Sequence, residues 1–294
     1  MAIDLAATGA VPNLSGKYAW ISEGMVHAVG LGDGRAPWYR NRPTTTAATT
    51  VIWFGGSLLA FGDGQLALEL DDEFDAVRRV DLAGANRTLT AHPAVDPVTG
   101  ELHLLTFGID PAQLHVRVST GGLTRTVRSI DGAPGRIRQL ALTRDHVVLL
   151  ADGFFGLIER TGHDARATWF PIDIAATHIA AAHDDGETVV AYATGPSLAR
   201  WTLQPRARIA HSEALDASTH TFASPPVFVA DPERGNTEDG GWLVGLVQDA
   251  TTDGTDLVVL DAQAIERPAL AVTRLPRRVP NGARGTWIPG VPQI

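Results

Sequence analysis

Turn signals divide this chain so densely that little room is left between them for a core helix. Gly32-Asp33-Gly34, Gly62-Asp63-Gly64, Asp152-Gly153, Asp185-Gly186, Asp239-Gly240 and Asp253-Gly254 punctuate a series of short apolar runs. Strands are expected at Met25–Leu31, Val51–Phe54, Ser57–Phe61, Leu66–Leu70, Leu102–Phe107, Leu114–Val118, Thr124–Arg128, Arg136–Leu142 and His146–Leu150, because short apolar runs bounded by Gly, Asp and Pro are the signature of hairpins. The alanine-rich segment Ala175–Ala182 runs straight into Asp184-Asp185-Gly186 and is expected to be extended. Roughly twenty strands at a spacing of about 12–15 residues indicate an all-β fold. Four strands per blade would occupy about 40–50 residues, which is the spacing of a β-propeller. A pair of sandwiches is the alternative. No self-similar motif recurs, so strand count and not repetition carries the propeller reading. No linker interrupts the pattern, and residues 1–294 are expected to form a single β-propeller domain.

Composition narrows the function. The net charge is −9 and no Lys/Arg run occurs, so no nucleic acid is expected as a partner. The chain has no cysteine, which removes thiol catalysis and thiolate metal sites and leaves histidines and carboxylates for any metal chemistry. The longest apolar stretch, around Val51–Phe61, is broken by Gly55, Gly56 and Ser57 and is too short for a transmembrane segment. The start of the chain carries no basic segment followed by an apolar run, so a cytoplasmic location is expected. Peripheral membrane contact stays open.

The richest stretch is Thr90-Ala91-His92-Pro93-Ala94-Val95-Asp96-Pro97-Val98-Thr99-Gly100-Glu101-Leu102. Pro93 biases His92 towards an extended backbone. Asp96 is placed to accept from the amides that follow it, and Gly100 is free to take a positive φ, so a tight turn should lead into a strand at Leu102. A histidine held this rigidly is either a metal ligand or incidental to the turn.

This stretch matches every specified position of T-A-H-P-x-x-D-P-x-T-G-E-L, the first histidine motif of the carotenoid cleavage oxygenase family. The resemblance runs through most of the chain. Gly24-Met25-Val26-His27-Ala28-Val29 and Trp38-Tyr39-Arg40-Asn41-Arg42 resemble an early family segment. Ala141-Leu142-Thr143, Pro226-Val227-Phe228-Val229, Gly240-Gly241-Trp242-Leu243, Leu257-Val258-Val259-Leu260-Asp261-Ala262 and Leu275-Pro276-Arg277-Arg278-Val279-Pro280 resemble later ones, in the same order. The resemblance implies a seven-bladed propeller with one Fe(II) on its axis, held by four histidines. It also implies an oxidoreductase, a dioxygenase that cleaves a carbon–carbon double bond of a carotenoid, apocarotenoid or stilbene-like substrate. The implied partner is an apolar polyene or phenylpropanoid-like small molecule.

Two of the four implied metal ligands survive, His92 and His178. The second and fourth positions hold Arg138 and Arg284. Arginine has no lone pair to offer and stays protonated. A cation about 6 Å from a dication costs roughly 5 kcal/mol at an effective dielectric of about 20. Of the glutamates that orient the family's histidines, one corresponds to Asp63, a candidate second partner to an imidazole, and one to Pro225. A two-histidine, one-carboxylate site of His92, His178 and Asp63 is conceivable. His183 lies five residues from His178, an odd spacing that on a regular strand points the two to opposite faces. The passage from Leu203 to Pro226 is short for the family, which suggests closure by about six blades. Three readings follow: a non-haem Fe(II) dioxygenase, a non-catalytic propeller that binds an apolar or anionic ligand resembling an apocarotenoid acid, and an inactive remnant.

Overall fold

The computed structural model describes residues 2–32, 34–44, 47–84, 87–96, 98–106, 112–117, 124–130, 132–161, 166–173, 175–194, 198–214, 221–224, 226–234, 240–249, 252–264, 267–280 and 283–290. Asp33 and Asp239 of two expected turns, and Pro225, lie outside them. Among the described residues the chain forms antiparallel sheets throughout, with one 3-10 turn at Pro232–Arg234. No helix is long and apolar enough to cross a membrane.

Six sheets follow one another in chain order, so the all-β propeller reading holds with one blade fewer than seven. Blade two comprises Thr50–Phe54, Ser57–Phe61, Ala67–Leu70 and Ala76–Val80. Blade three runs from Ala94–Val95 and Leu102–Leu105 to Ala112–Arg117 and Thr124–Ile130. Blade four holds Ile137–Leu142, His146–Ala151, Phe154–Glu159 and Thr168–Pro171, and blade five His178–Asp185, Thr188–Thr194, Leu198–Gln204 and Ile209–Ala214. Each is a simple meander, its strands paired antiparallel in chain order.

The ring is closed by strands exchanged between the chain ends. In blade one, Gly16–Ser22, Met25–Leu31 and Trp38–Pro43 are flanked by the N-terminal Ile3–Asp4 and by Gly285–Pro289 from the far end of the sequence. In blade six, Gly241–Asp249, Gly254–Asp261 and Ala271–Arg274 take Ala7–Gly9 as their outer strand, while Thr221–Phe222 and Val227–Ala230 both pair with Gly241–Asp249. Ile3–Asp4, Ala7–Gly9 and Thr221–Phe222 are strands that apolar periodicity does not reveal, since two or three residues are too few to display a period.

The core lies between the blades. Tyr18, Trp20, Val244 and Leu257 join blades one and six. Ala19, Val26, Val51 and Leu58 join one and two. Phe61, Leu89, Leu102 and Leu104 join two and three, Leu114, Leu140 and Leu149 join three and four, and Phe155, Val189 and Trp201 join four and five. A further cluster of Val247, Val258 and Leu260 belongs to blade six alone. It occupies the face of that blade opposite the one packed on blade one.

The Asp96 turn forms as its residues dictate. Asp96 Oδ1 accepts from the Val98 and Thr99 amides at 2.8 and 3.1 Å, and Gly100 takes a φ of 67°. Arg160 of blade four pairs with the buried Asp96 carboxylate, which fixes the turn to the next blade and holds His92 at its entrance.

Candidate functional site

The inner edge strand is Gly285–Pro289 in blade one and the first strand in chain order in blades two to five, and residues at the openings of several of these strands meet near the propeller axis. Thr50 begins the inner strand of blade two, His92 precedes that of blade three by two residues, His178 begins that of blade five, and Arg284 immediately precedes the closing strand of blade one. Thr50 and Arg284 are themselves paired in a parallel bridge. Residues 42 to 234 positions apart in sequence are thus gathered into one cluster of two imidazoles, a hydroxyl and a guanidinium.

His92 and His178 stand edge to face, with ring centroids 5.7 Å apart and planes at 80°. Two imidazoles on one ion, with metal–nitrogen bonds of about 2.1 Å and a ring radius of about 1.1 Å, hold their centroids about 4.5–6 Å apart. The pair therefore keeps the spacing of two ligands. A threonine hydroxyl lies at Nδ1 of each ring: Thr50 Oγ1 at 3.2 Å from His92 and Thr177 Oγ1 at 3.2 Å from His178. Nε2 of each ring remains for a ligand.

Arg284 changes the electrostatics of this pair. The residue is partly buried, and burial lowers its pKa to about 10, so it remains charged at neutral pH. Its Nη2 donates to the Ile179 carbonyl at 2.9 Å, and among the described residues no carboxylate pairs with it. Burial, the Arg284 charge and the neighbouring His178 together lower the His92 pKa to about 3. Burial and Arg284 also depress His178. Both imidazoles are neutral wherever the protein is folded near neutral pH.

The other expected site residues lie elsewhere. Arg138 does not join the axial group. A register shift between Ile137 and Gln139 makes it the extra residue of a β-bulge, and its half-exposed side chain donates from Nε to Asp152 at 2.5 Å. Gln139 faces inward instead: it is fully buried, donates Nε2 to the Ile179 carbonyl at 3.1 Å and accepts the Ile179 amide at 2.9 Å. Asp63 does not reach an imidazole. One oxygen accepts the Ala91 amide at 2.7 Å and the other accepts Arg136 Nη2 at 2.9 Å, so it orients the backbone that leads into His92. A second bulge, between Ile179 and Ala181, corrects the parity argument for His183. By register His178 and His183 share a face, yet they are separated by four partner residues, and His183 stacks on Tyr192 with centroids 6.1 Å apart.

Thr50 and Gln139 carry no motif that would mark them, and only their proximity to His92 and Ile179 reveals them. Two further histidines, His146 and His27, make contacts that tie strands and blades together. His146 Nδ1 bonds Asp184 at 2.8 Å, tying blade four to blade five. His27 lies between Tyr39, 2.7 Å away, and the ring of Trp20.

The site does not fit a four-histidine Fe(II) centre. Two imidazoles are present, a partly buried cation stands where the fourth ligand is expected, and the described residues contain no group of three His, Asp or Glu side chains placed to hold a metal.

The retinal pigment epithelial membrane protein family model matches residues 16–154 and 196–289, most of the chain. The chain belongs to the carotenoid cleavage oxygenase family. His92, Asp63, Arg138 and Arg284 lie inside the matched residues, and His178 lies between them. A carotenoid cleavage oxygenase of Mycobacterium tuberculosis is 32% identical over 197 residues, covering 50% of this chain and 39% of that protein. The apocarotenoid-15,15'-oxygenase of Synechocystis is 43% identical over 68 residues, covering 23% of this chain and 14% of that protein. These matches thus span well under half of either relative's length. Among solved structures, cobalt-substituted Synechocystis apocarotenoid oxygenase aligns with a TM-score of 0.75 at 16% identity, covering 99% of this chain and 96% of that one. A lignostilbene dioxygenase of Pseudomonas brassicacearum aligns with a TM-score of 0.73 at 17% identity, also covering 99% and 96%. The propeller of these oxygenases is the fold of this chain.

Proposed function

We propose that this chain is a single-domain, iron-free member of its family, and that it binds an apolar small molecule of polyene or phenylpropanoid type without cleaving it. One observation carries the reading: Arg284, partly buried and charged, bonds the carbonyl of Ile179 beside His178 and is bridged to Thr50, whose hydroxyl lies on His92, so its charge sits near both surviving histidines. A ferrous ion held by His92 and His178 would face this cation at close range, in a site that has lost half its ligands. Two neutral imidazoles are too few to offset that repulsion.

The competing reading is a residual dioxygenase, favoured by the 5.7 Å ring spacing. The His92, His178 and Asp63 version of it is weakened by Asp63, whose two oxygens are engaged by Ala91 and Arg136.

Metal analysis of the purified chain, followed by anaerobic Fe(II) loading and exposure to oxygen with an apocarotenal or a hydroxystilbene, separates the two readings. The expected result is less than about a tenth of an iron per chain and no loss of substrate absorbance, with the polyene still quenching tryptophan fluorescence on binding. Stoichiometric iron together with aldehyde products would overturn the proposal.

A further inference from the structure

We propose that Arg284, His92 and His178 form a carboxylate-binding site on the propeller axis, the anchor for an acidic small molecule. The inference rests on the iron-free reading above, since a metal ion and an anion would compete for the same imidazole nitrogens.

Three observations converge on an anion. Arg284 is partly buried and, among the described residues, has no carboxylate partner; its Nη2 donates to the Ile179 carbonyl. A partly buried guanidinium without a counter-charge is costly, and a planar carboxylate matches its remaining donors in a bidentate way. The two histidines add directional chemistry. The resemblance implies that family histidines are oriented by glutamates, which fix the hydrogen on Nδ1 and leave Nε2 as a lone pair for the metal. Here a threonine hydroxyl stands at Nδ1 of each ring. A hydroxyl can donate as well as accept, so the hydrogen is free to move to Nε2, where each ring becomes a donor to an anion. Access completes the argument: His92, His178 and Arg284 each retain part of their surface exposed to solvent.

Sodium benzoate is the probe, benzamide its uncharged counterpart and inorganic phosphate the test of anion shape. Calorimetric titrations use the full chain after treatment with a chelator. Benzoate should bind, benzamide should not, and phosphate should bind at least tenfold more weakly. Arg284→Gln should weaken benzoate at least tenfold, with Arg284→Lys recovering part of the loss. In wild-type protein, ¹H–¹⁵N spectra of the imidazoles should show benzoate shifting His92 and His178 towards the Nε2–H form. This readout decides the matter even if the Arg284 variants do not fold. Equal binding of benzoate and benzamide, phosphate as tight as benzoate, a folded Arg284→Gln variant with unchanged affinity, or unmoved imidazole signals would each overturn the proposal. Metal analysis of the starting material keeps the two readings distinct. Stoichiometric iron refutes the iron-free reading, whereas an iron-free chain indifferent to benzoate refutes the carboxylate site alone.

Discussion

His92 and His178 come from blades three and five, 86 positions apart in sequence, yet their rings meet edge to face at 5.7 Å. Their spacing survives although two of the four expected ligands do not. Protein groups surround the pair: Thr50 on one ring, Thr177 on the other, and the Arg284–Ile179 bond beside them.

Arg284→His should therefore raise metal affinity above that of the parent chain. The substitution removes the partly buried cation and supplies a third imidazole beside two whose spacing already suits a shared ion. Titration with Co(II), followed by its visible absorption, should show binding at least tenfold tighter than to the parent. No gain would mean that residue 284 does not project to the point His92 and His178 share.

Gln139 joins blade four to blade five through two hydrogen bonds with the Ile179 backbone, and it is fully buried. Gln139→Leu keeps the approximate volume but leaves the Ile179 amide without its partner. An unsatisfied buried donor costs about 1–3 kcal/mol, so the variant should lose about 2–3 kcal/mol in urea unfolding. It should also broaden the imidazole signal of His178, the residue next to Ile179. A variant as stable as the parent would show that water replaces the amide group.

The family motif around His92 was readable because its chemistry is local. Asp96, Gly100 and the strand at Leu102 follow from turn residues a few positions apart. The fate of the arginines was not readable, because alignment to a motif assumes an unbroken period of two. The bulge at Arg138 rotates that side chain outward to Asp152 and leaves Gln139 as the inward group. The bulge between Ile179 and Ala181 likewise returns His183 to the face of His178. One inserted residue reverses every inference of facing drawn across it. The propeller class was legible from strand density, but the number of blades and the closing strands were not, since Gly285–Pro289 and Ala7–Gly9 find partners more than 250 residues away.

Asp96 makes the fold sensitive to acid. Burial alone would raise its pKa, but the Thr99 and Val98 amides and the Arg160 guanidinium outweigh burial and hold it below the usual carboxylate value. A carboxyl whose folded pKa is depressed contributes stability above its unfolded pKa, and that contribution is lost as pH falls through the folded value. The parent chain should lose stability progressively below about pH 4. Asp96→Asn should be weaker by about 2–4 kcal/mol at pH 7, because it leaves Arg160 without its principal partner in a largely buried pair. The difference should shrink towards pH 2. Urea unfolding of both proteins at pH 7, 4 and 2.5 measures it, and a gap that stays constant with pH would assign the loss to packing instead of charge.

Gly285 tests how the ring closes. It opens the C-terminal strand of blade one beside Arg284 and pairs with Trp20. A Cβ built on it would overlap the phenol ring of Tyr18, which is fully buried and shares a 3.0 Å hydrogen bond with Ser224 of blade six. Tyr18 cannot yield without breaking that bond, so Gly285→Ala must displace the strand. Overpacking of this kind costs about 1–3 kcal/mol, and here it falls on the seam that completes the propeller. The expected outcome is a lowered Tm, with the amides of Gly285–Pro289 exchanging hydrogen faster than those of blades three to five. Because Arg284 is carried on the same backbone, benzoate affinity should fall in parallel. A variant that exchanges at the seam but keeps full affinity would show that the axial guanidinium is held by its bond to Ile179 and not by the closing strand.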